Sequence, residues 1–159
     1  MEHRHVITLE VEDKPGVLSR ISTLFSRRGF NVDSLTVGQT HIPGISRFTI
    51  VVRGDAHVLE QIRKQSQKLV HVIKTHNLDK DHSVMREFTI VKFDYNREDS
   101  RGINELVDLY GGRMLDSSEE QLIVEFSGTA EKIHKIFKKL EKFTVLESIR
   151  TGKIGMKIG

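Results

Sequence analysis

The turn Glu12-Asp13-Lys14-Pro15-Gly16-Val17-Leu18 holds the residues whose types and spacing bear most directly on chemistry. Proline at a helix start gives up no needed hydrogen bond, because its missing N–H would have been an orphan. Gly16 has no Cβ, so another backbone or a ligand can approach closely. A helix opening there presents the free N–H groups of residues 16–18 and a positive dipole end, which together suit a carboxylate-sized anion. Asp13, just ahead of the helix, offers either a cap or an acceptor for an ammonium group. Donors for a carboxylate beside an acceptor for an amine make half of a site for an α-amino acid. The same residues also describe an ordinary capped helix start, which is the commoner outcome of such spacing.

Other chemistries find little footing. There is no Cys, which excludes disulfides, thiolate metal sites and a cysteine nucleophile, and which fits a cytoplasmic protein. Eight His are scattered without HxxxH or HExxH spacing, so no metal site is expected. His71 and His76 are read as lying on opposite faces of one strand. No GxSxG elbow, dinucleotide fingerprint or P-loop occurs, and Gly111-Gly112 ends a helix rather than opening one. The net charge of +3 and the pI near 9.2 arise from 25 basic and 22 acidic residues spread along the chain. That is mixed surface charge, so no nucleic-acid partner is expected. The lysines at 132, 135, 138, 139 and 142 fall opposite an apolar helical stripe and read as a solvated face. No apolar run approaches the roughly 18 residues of a membrane span, and the first ten residues lack a signal-peptide core.

The elements that must position the turn follow from periodicity. Leu, Ile, Val and Phe make up about a third of the 159 residues, enough for a buried core. In VITLEV, Ile7, Leu9 and Val11 share one face of a strand. Val17, Leu18, Ile21, Leu24 and Phe25 make a helical stripe that Gly29 can cap in the left-handed conformation. NVDSLTVG and ISRFTIVVR are two more strands, with Arg47 on the non-core face as a candidate contact for a partner. Asp55 can cap a helix carrying Val58, Leu59, Ile62 and Ser66, and LVHVIKT reads as a fourth strand. Residues 77–85 are polar and read as a linker. The pattern then repeats: EFTIVKF, a helix with Ile103, Leu106, Val107 and Tyr110, RMLD, LIVEF, a Thr129-capped helix, and FTVLESI. The glycine-rich tail TGKIGMKIG is expected to fray. Two consecutive βαββαβ units result, so the fold class is α+β with two ferredoxin-like domains in tandem, over residues 1–78 and 79–159. Each is expected to leave the sheet face away from its helices open.

With the residues in place, a resemblance appears. PGVLSRISTLFSRRGFNVDSLTVGQT, then ISRFTIVV and QIRKQSQKLVHVIKTHNL, resembles an ACT domain. More narrowly, from about His5 to about Ile154, the chain resembles the regulatory small subunits of acetolactate synthase (acetohydroxyacid synthase). The resemblance implies a subunit with no active site of its own. Such a subunit binds and activates the catalytic subunit and confers feedback inhibition by a branched-chain amino acid, usually valine. Thiamine diphosphate, a divalent metal such as Mg and often FAD would belong to that catalytic partner, and no cofactor to this chain. The resemblance also implies a homodimer of side-by-side ACT domains with the effector at their interface. By position, Asp13, Lys14, Pro15, Gly16, Val17 and Leu18 would receive the amine and carboxylate, and Asn31 and Val32 of the neighbouring subunit would complete the pocket. Some relatives carry Asn in place of Asp13; an ionised Asp still pairs with an ammonium but adds charge near the ligand carboxylate. The Asn31 amide can donate to a carboxylate or accept from an amine, and Val32 offers a small apolar wall. A free-standing amino-acid-binding ACT protein that controls another enzyme or transcription is the alternative; no helix-turn-helix pattern speaks for it.

Overall fold

The computed structural model describes residues 3–159. The first half folds as β1 (His3–Glu12), α1 (Val17–Arg27), β2 (Asn31–Gln39), β3 (Ile45–Gly54), α2 (Ala56–Gln67) and β4 (Val72–Leu78). The second half repeats the order with β5 (Ser83–Asp94), α3 (Ser100–Tyr110), β6 (Arg113–Ser117), β7 (Gln121–Gly128), α4 (Ala130–Leu140) and β8 (Val145–Arg150), and the tail adds β9 (Ile154–Lys157). The strand orders are β2-β3-β1-β4 and β6-β7-β5-β8, antiparallel throughout. This is the expected α+β, twice-repeated βαββαβ arrangement.

Each repeat has its own core. Ile7, Leu9 and Val11 of β1 and Phe48, Ile50 and Val52 of β3 pack against Val17, Ile21 and Phe25 of α1 and Ile62 of α2. Val91, Phe93, Leu122, Val124 and Phe126 do the same under Ile103 and Leu106 of α3 and Ile133 and Ile136 of α4. Period-two strands against period-3.6 helices make these the only faces that can meet without burying charge. The helix ends follow their local chemistry. Asp55 Oδ1 accepts from Val58 N at 2.9 Å and Thr129 Oγ1 from Lys132 N at 3.2 Å. Gly29 (φ 65°) and Gly111 (φ 62°) take the left-handed conformation just past α1 and α3.

Compact packing divides the chain into Met1–Met85 with Gly152–Gly159, and Arg86–Thr151. The division near residue 78 expected from composition therefore falls inside the first unit, which also takes back the tail. Three local expectations change. The tail does not fray: β9 pairs with β5, Ile158 N donates to His82 O at 2.8 Å, and Arg47 Nη2 donates to Gly155 O at 3.0 Å. The first unit's second sheet face is not open: Val6, Thr8, Thr49, Val51 and Leu78 are all under 8% exposed. Finally, β4 begins at Val72 because Lys68 N, Leu69 N and Val72 N spend their hydrogen bonds on turns leaving α2, so His71 precedes the strand. The linker shrinks to residues 79–82, where Asp79 Oδ1 accepts from the amides of Asp81 and His82.

Replacing Thr129 with Ala leaves a first-turn amide of α4 without its partner and lowers unfolding stability by about 1 kcal/mol in urea titration. On α2, hydrogen bonds from Arg63 hold Glu60 down at about 2. A carboxyl depressed in the folded state contributes stability that is present above its unfolded pKa and lost as pH falls towards the folded one. The slope of stability against pH between about 4.5 and 2 therefore becomes shallower in Glu60→Gln, as read from urea midpoints.

Candidate functional site

Beyond Glu12 the chain leaves β1 and is tied to two neighbours. Glu12 N donates to His71 O at 2.9 Å, and Asp13 N donates to Gly44 O at 2.8 Å. The turn is thereby fixed to the start of β4 and to the β2–β3 loop before α1 begins. Gly16 follows with φ 83°, a left-handed conformation that other residues adopt only at a cost. It is the N-cap of α1, and no side chain caps that end. Pro15 thus lies just ahead of the N-cap, two residues before the first helical position, rather than at that position.

The exposed tip differs in detail from a simple helix start. Val17 N donates back to Lys14 O at 3.3 Å, so one of the three amides expected to be free is engaged. The amides of Gly16, Leu18 and Ser19 engage no carbonyl among the described residues. Val17's side chain is 5% exposed and belongs to the core, whereas Leu18 is 50% exposed and stands off the apolar stripe. Asp13, Lys14, Pro15 and Gly16 are all exposed, and nothing lies within 4 Å of where a Gly16 Cβ would sit. Asp13 does not cap α1. Its carboxylate stands 3.5 Å from Gln39 Nε2 at the far end of β2. The tip therefore offers two or three backbone donors, a helix dipole and a carboxylate, all open to solvent.

Asn31 and Val32 lie elsewhere. They begin β2, the edge strand, opposite Arg53 and Val52 of β3. Arg53 is opposite Arg4, while Glu12, beside the tip, is opposite Ile45. Eight residues of β1 separate those ends, about 26 Å at the ordinary strand rise of roughly 3.3 Å per residue. Within one chain, then, the tip and Asn31 occupy opposite ends of the same sheet.

Three features here were hidden from sequence reasoning. The register slips between Val32 and Ser34, which leaves Asp33 as a bulge. Its carboxylate receives Arg4 Nε and Arg53 Nε, each at 2.7 Å. Nothing in NVDSLTVG marks that extra residue, because a bulge shows only against its partner strand. Gln39 and Gly44 support the tip from β2 and its loop; the Pro43-Gly44 pair marked a turn but not what it would hold. Arg47 bonds Glu10 Oε1 at 3.2 Å and Gly155 O within its own unit. Among the described residues no group of three or more His, Cys, Asp or Glu is placed to hold a metal ion, and no helix is long and apolar enough to cross a membrane.

Gly16→Ala meets open space, so its cost comes from the backbone conformation alone. We expect about 1 kcal/mol of lost stability by urea titration, with the fold intact by circular dichroism.

Comparison with known proteins bears on what such a tip and edge serve. Residues 7–74 match the family model for an AHAS small subunit-like ACT domain, and residues 86–159 match that for the small subunit of acetolactate synthase. A probable acetolactate synthase small subunit from Methanothermobacter thermautotrophicus is 44% identical over 156 residues, covering 98% of this chain and 93% of the relative. An acetolactate synthase small subunit from Mycolicibacterium smegmatis is 42% identical, covering 98% and 91%. The crystal structure of the acetolactate synthase small subunit from Thermotoga maritima superposes with a TM-score of 0.93 at 38% identity, covering 99% of this chain and 98% of that one. With both halves matched and near full-length identity above 40%, the chain belongs to the acetolactate synthase small-subunit family, its first half an ACT regulatory domain.

Proposed function

We propose that this chain regulates an acetolactate synthase catalytic subunit by binding a branched-chain amino acid, valine, between two copies of its first unit. The observation that carries the proposal is the separation just described. An open tip with donors for a carboxylate and an acceptor for an amine lies about 26 Å along the sheet from the amide at Asn31, at the ordinary strand rise. Only a second copy can bring Asn31 to that tip.

The edge supports such pairing. β2 has a partner on one side only, and Val32, Leu35 and Val37 are 39%, 40% and 44% exposed along its helix-side face. An uncovered edge with apolar side chains is a template for another strand. If two β2 strands pair antiparallel about Leu35, Asn31 of the second copy falls opposite Gln39, whose amide stands beside Asp13. The effector's carboxylate then meets the amides of Gly16 and Leu18, its ammonium meets Asp13, and Asn31 of the second copy satisfies the remaining polar group. Val32 and the exposed Leu18 supply the apolar wall.

Inhibition requires that valine favour one arrangement of the pair over another; equal affinity for both would shift nothing. The chemistry itself, with thiamine diphosphate, Mg and FAD, belongs in this reading to the catalytic subunit, and this chain contributes only the effector response and activation.

Calorimetry of valine against the chain, alone and mixed with the catalytic subunit, tests the reading. Saturable heat is expected, and alanine, lacking two methylenes, binds about 10- to 20-fold more weakly at roughly 0.8 kcal/mol for each. Asp13→Ala and Asn31→Ala each abolish valine inhibition and leave activation of the catalytic subunit in place. Retention of full valine inhibition by both variants would overturn the assignment of the site. Gly16→Asp places a carboxylate where the ligand's own must sit, and it too removes inhibition.

A further inference from the structure

The tail carries the inference. Residues 152–159 belong to the first unit, and their contacts cross one face of its sheet. A Cβ built on Gly152 (φ 75°) would stand 2.6 Å from Ser34 Cβ and 2.7 Å from Ser34 Oγ, on β2. A Cβ built on Gly155 would stand 2.8 Å from Leu78 Cδ1, on β4. At that second glycine, Gly155 O accepts from Arg47 of β3, and Arg47 is itself held by Glu10 of β1. Ser34, Val51, Val6 and Leu78 form one row across the four strands by register. The tail thus meets that row at both of its ends, Ser34 on one edge strand and Leu78 on the other, while Met85 packs on Val6 and Val51 between them.

We infer that this strap sets the position of edge strand β2, and that Gly152 and Arg47 are positioning residues for the effector response. The inference rests on the reading that β2 carries part of the effector site. The geometry gives it a direction. Gly152 sits directly against Ser34, three residues from Asn31 and next to the Asp33 bulge, at the point where β2 leaves regular pairing. A strand without a partner strand on its outer side lacks the restraint that a second ladder would give it. The close approach needs glycine twice over, for its positive φ and for the missing Cβ. Arg47 fastens the strap at Gly155, three residues beyond Gly152, so the contact at Ser34 depends on a charged hydrogen bond from the neighbouring strand.

The test uses the full chain, with hydrogen exchange read by mass spectrometry and effector response read in the complex reconstituted with the catalytic subunit. In Gly152→Ala, amide exchange across residues 31–39 rises about tenfold, while β1, β3 and β7 stay within about threefold. Adding Ser34→Gly, which removes the clashing atoms, brings β2 back to within about threefold of the unmodified chain. The valine midpoint of inhibition moves by about threefold or more in Gly152→Ala, with activation unchanged within about twofold. Arg47→Gln, which alters no backbone conformation, moves both readouts the same way and serves if Gly152→Ala folds poorly. A rise in exchange spread evenly over the sheet, or no rise at all, overturns the strap as a positioning element. A selective rise on β2 with an unmoved valine midpoint overturns its role in the effector response. If the unmodified complex ignores valine, the effector reading fails instead, and the exchange pattern alone then decides whether the strap positions β2.

Discussion

Strand β1 is hydrogen-bonded along both sides, to β3 over ten residue pairs and to β4 over six, and the rest of the first unit is arranged by that fact. Its two ends carry the two regions assigned to the proposed effector site. At one end Glu12 leads into the tip, with the amides of Glu12 and Asp13 spent on His71 and Gly44. At the other, Arg4 reaches the Asp33 carboxylate. Because β1 is inextensible and central, the distance between these regions cannot be shortened within one chain. The tip is left with donors and a carboxylate, and in the proposed reading their complement comes from a second copy.

The same logic explains why β2 is built as it is. Its inner side is satisfied by β3, and its bulge at Asp33 is locked by two arginines rather than by further strand pairing. A bulge increases local twist and re-aims the residues around it. Here it separates Asn31 and Val32, on one side, from the regular stretch Ser34–Gln39 on the other. The strand has no partner strand on its outer side, and its apolar residues lie half-exposed instead of being replaced by charges. These are the features that a strand meant to stay unpaired avoids.

Much of this was legible in the residues, for identifiable reasons. Helices α1 and α2 announced themselves through stripes at 3.6-residue spacing and through Gly29 and Asp55, whose roles are local and need no tertiary context. The turn between β1 and α1 was legible because Pro-Gly after a strand marks where the strand stops. What stayed hidden depends on neighbours distant in sequence. The Val17 amide, expected to be free, donates instead to Lys14 O. Asp13 looked like a cap, but the left-handed Gly16 intervenes and sends its carboxylate towards Gln39. The start of β4 was misplaced because LVHVI is apolar enough for a strand while its first residues close a helix. The tail had no period to read: its glycines, which suggested disorder, instead permit close approach to Ser34 and Leu78.

The placement of the last eight residues also bears on how the molecule comes into being. The first unit joins the stretch up to Met85 with Gly152–Gly159. During synthesis the stretch Arg86–Thr151 must be made in between, which takes several seconds at the usual roughly 5–20 residues per second. For that interval the nascent N-terminal sheet waits without the residues whose glycines later come against Ser34 and Leu78. Its assembly is therefore completed late in synthesis, and keeping the unfinished sheet in a soluble form through that interval becomes a requirement on the cell rather than on the finished protein.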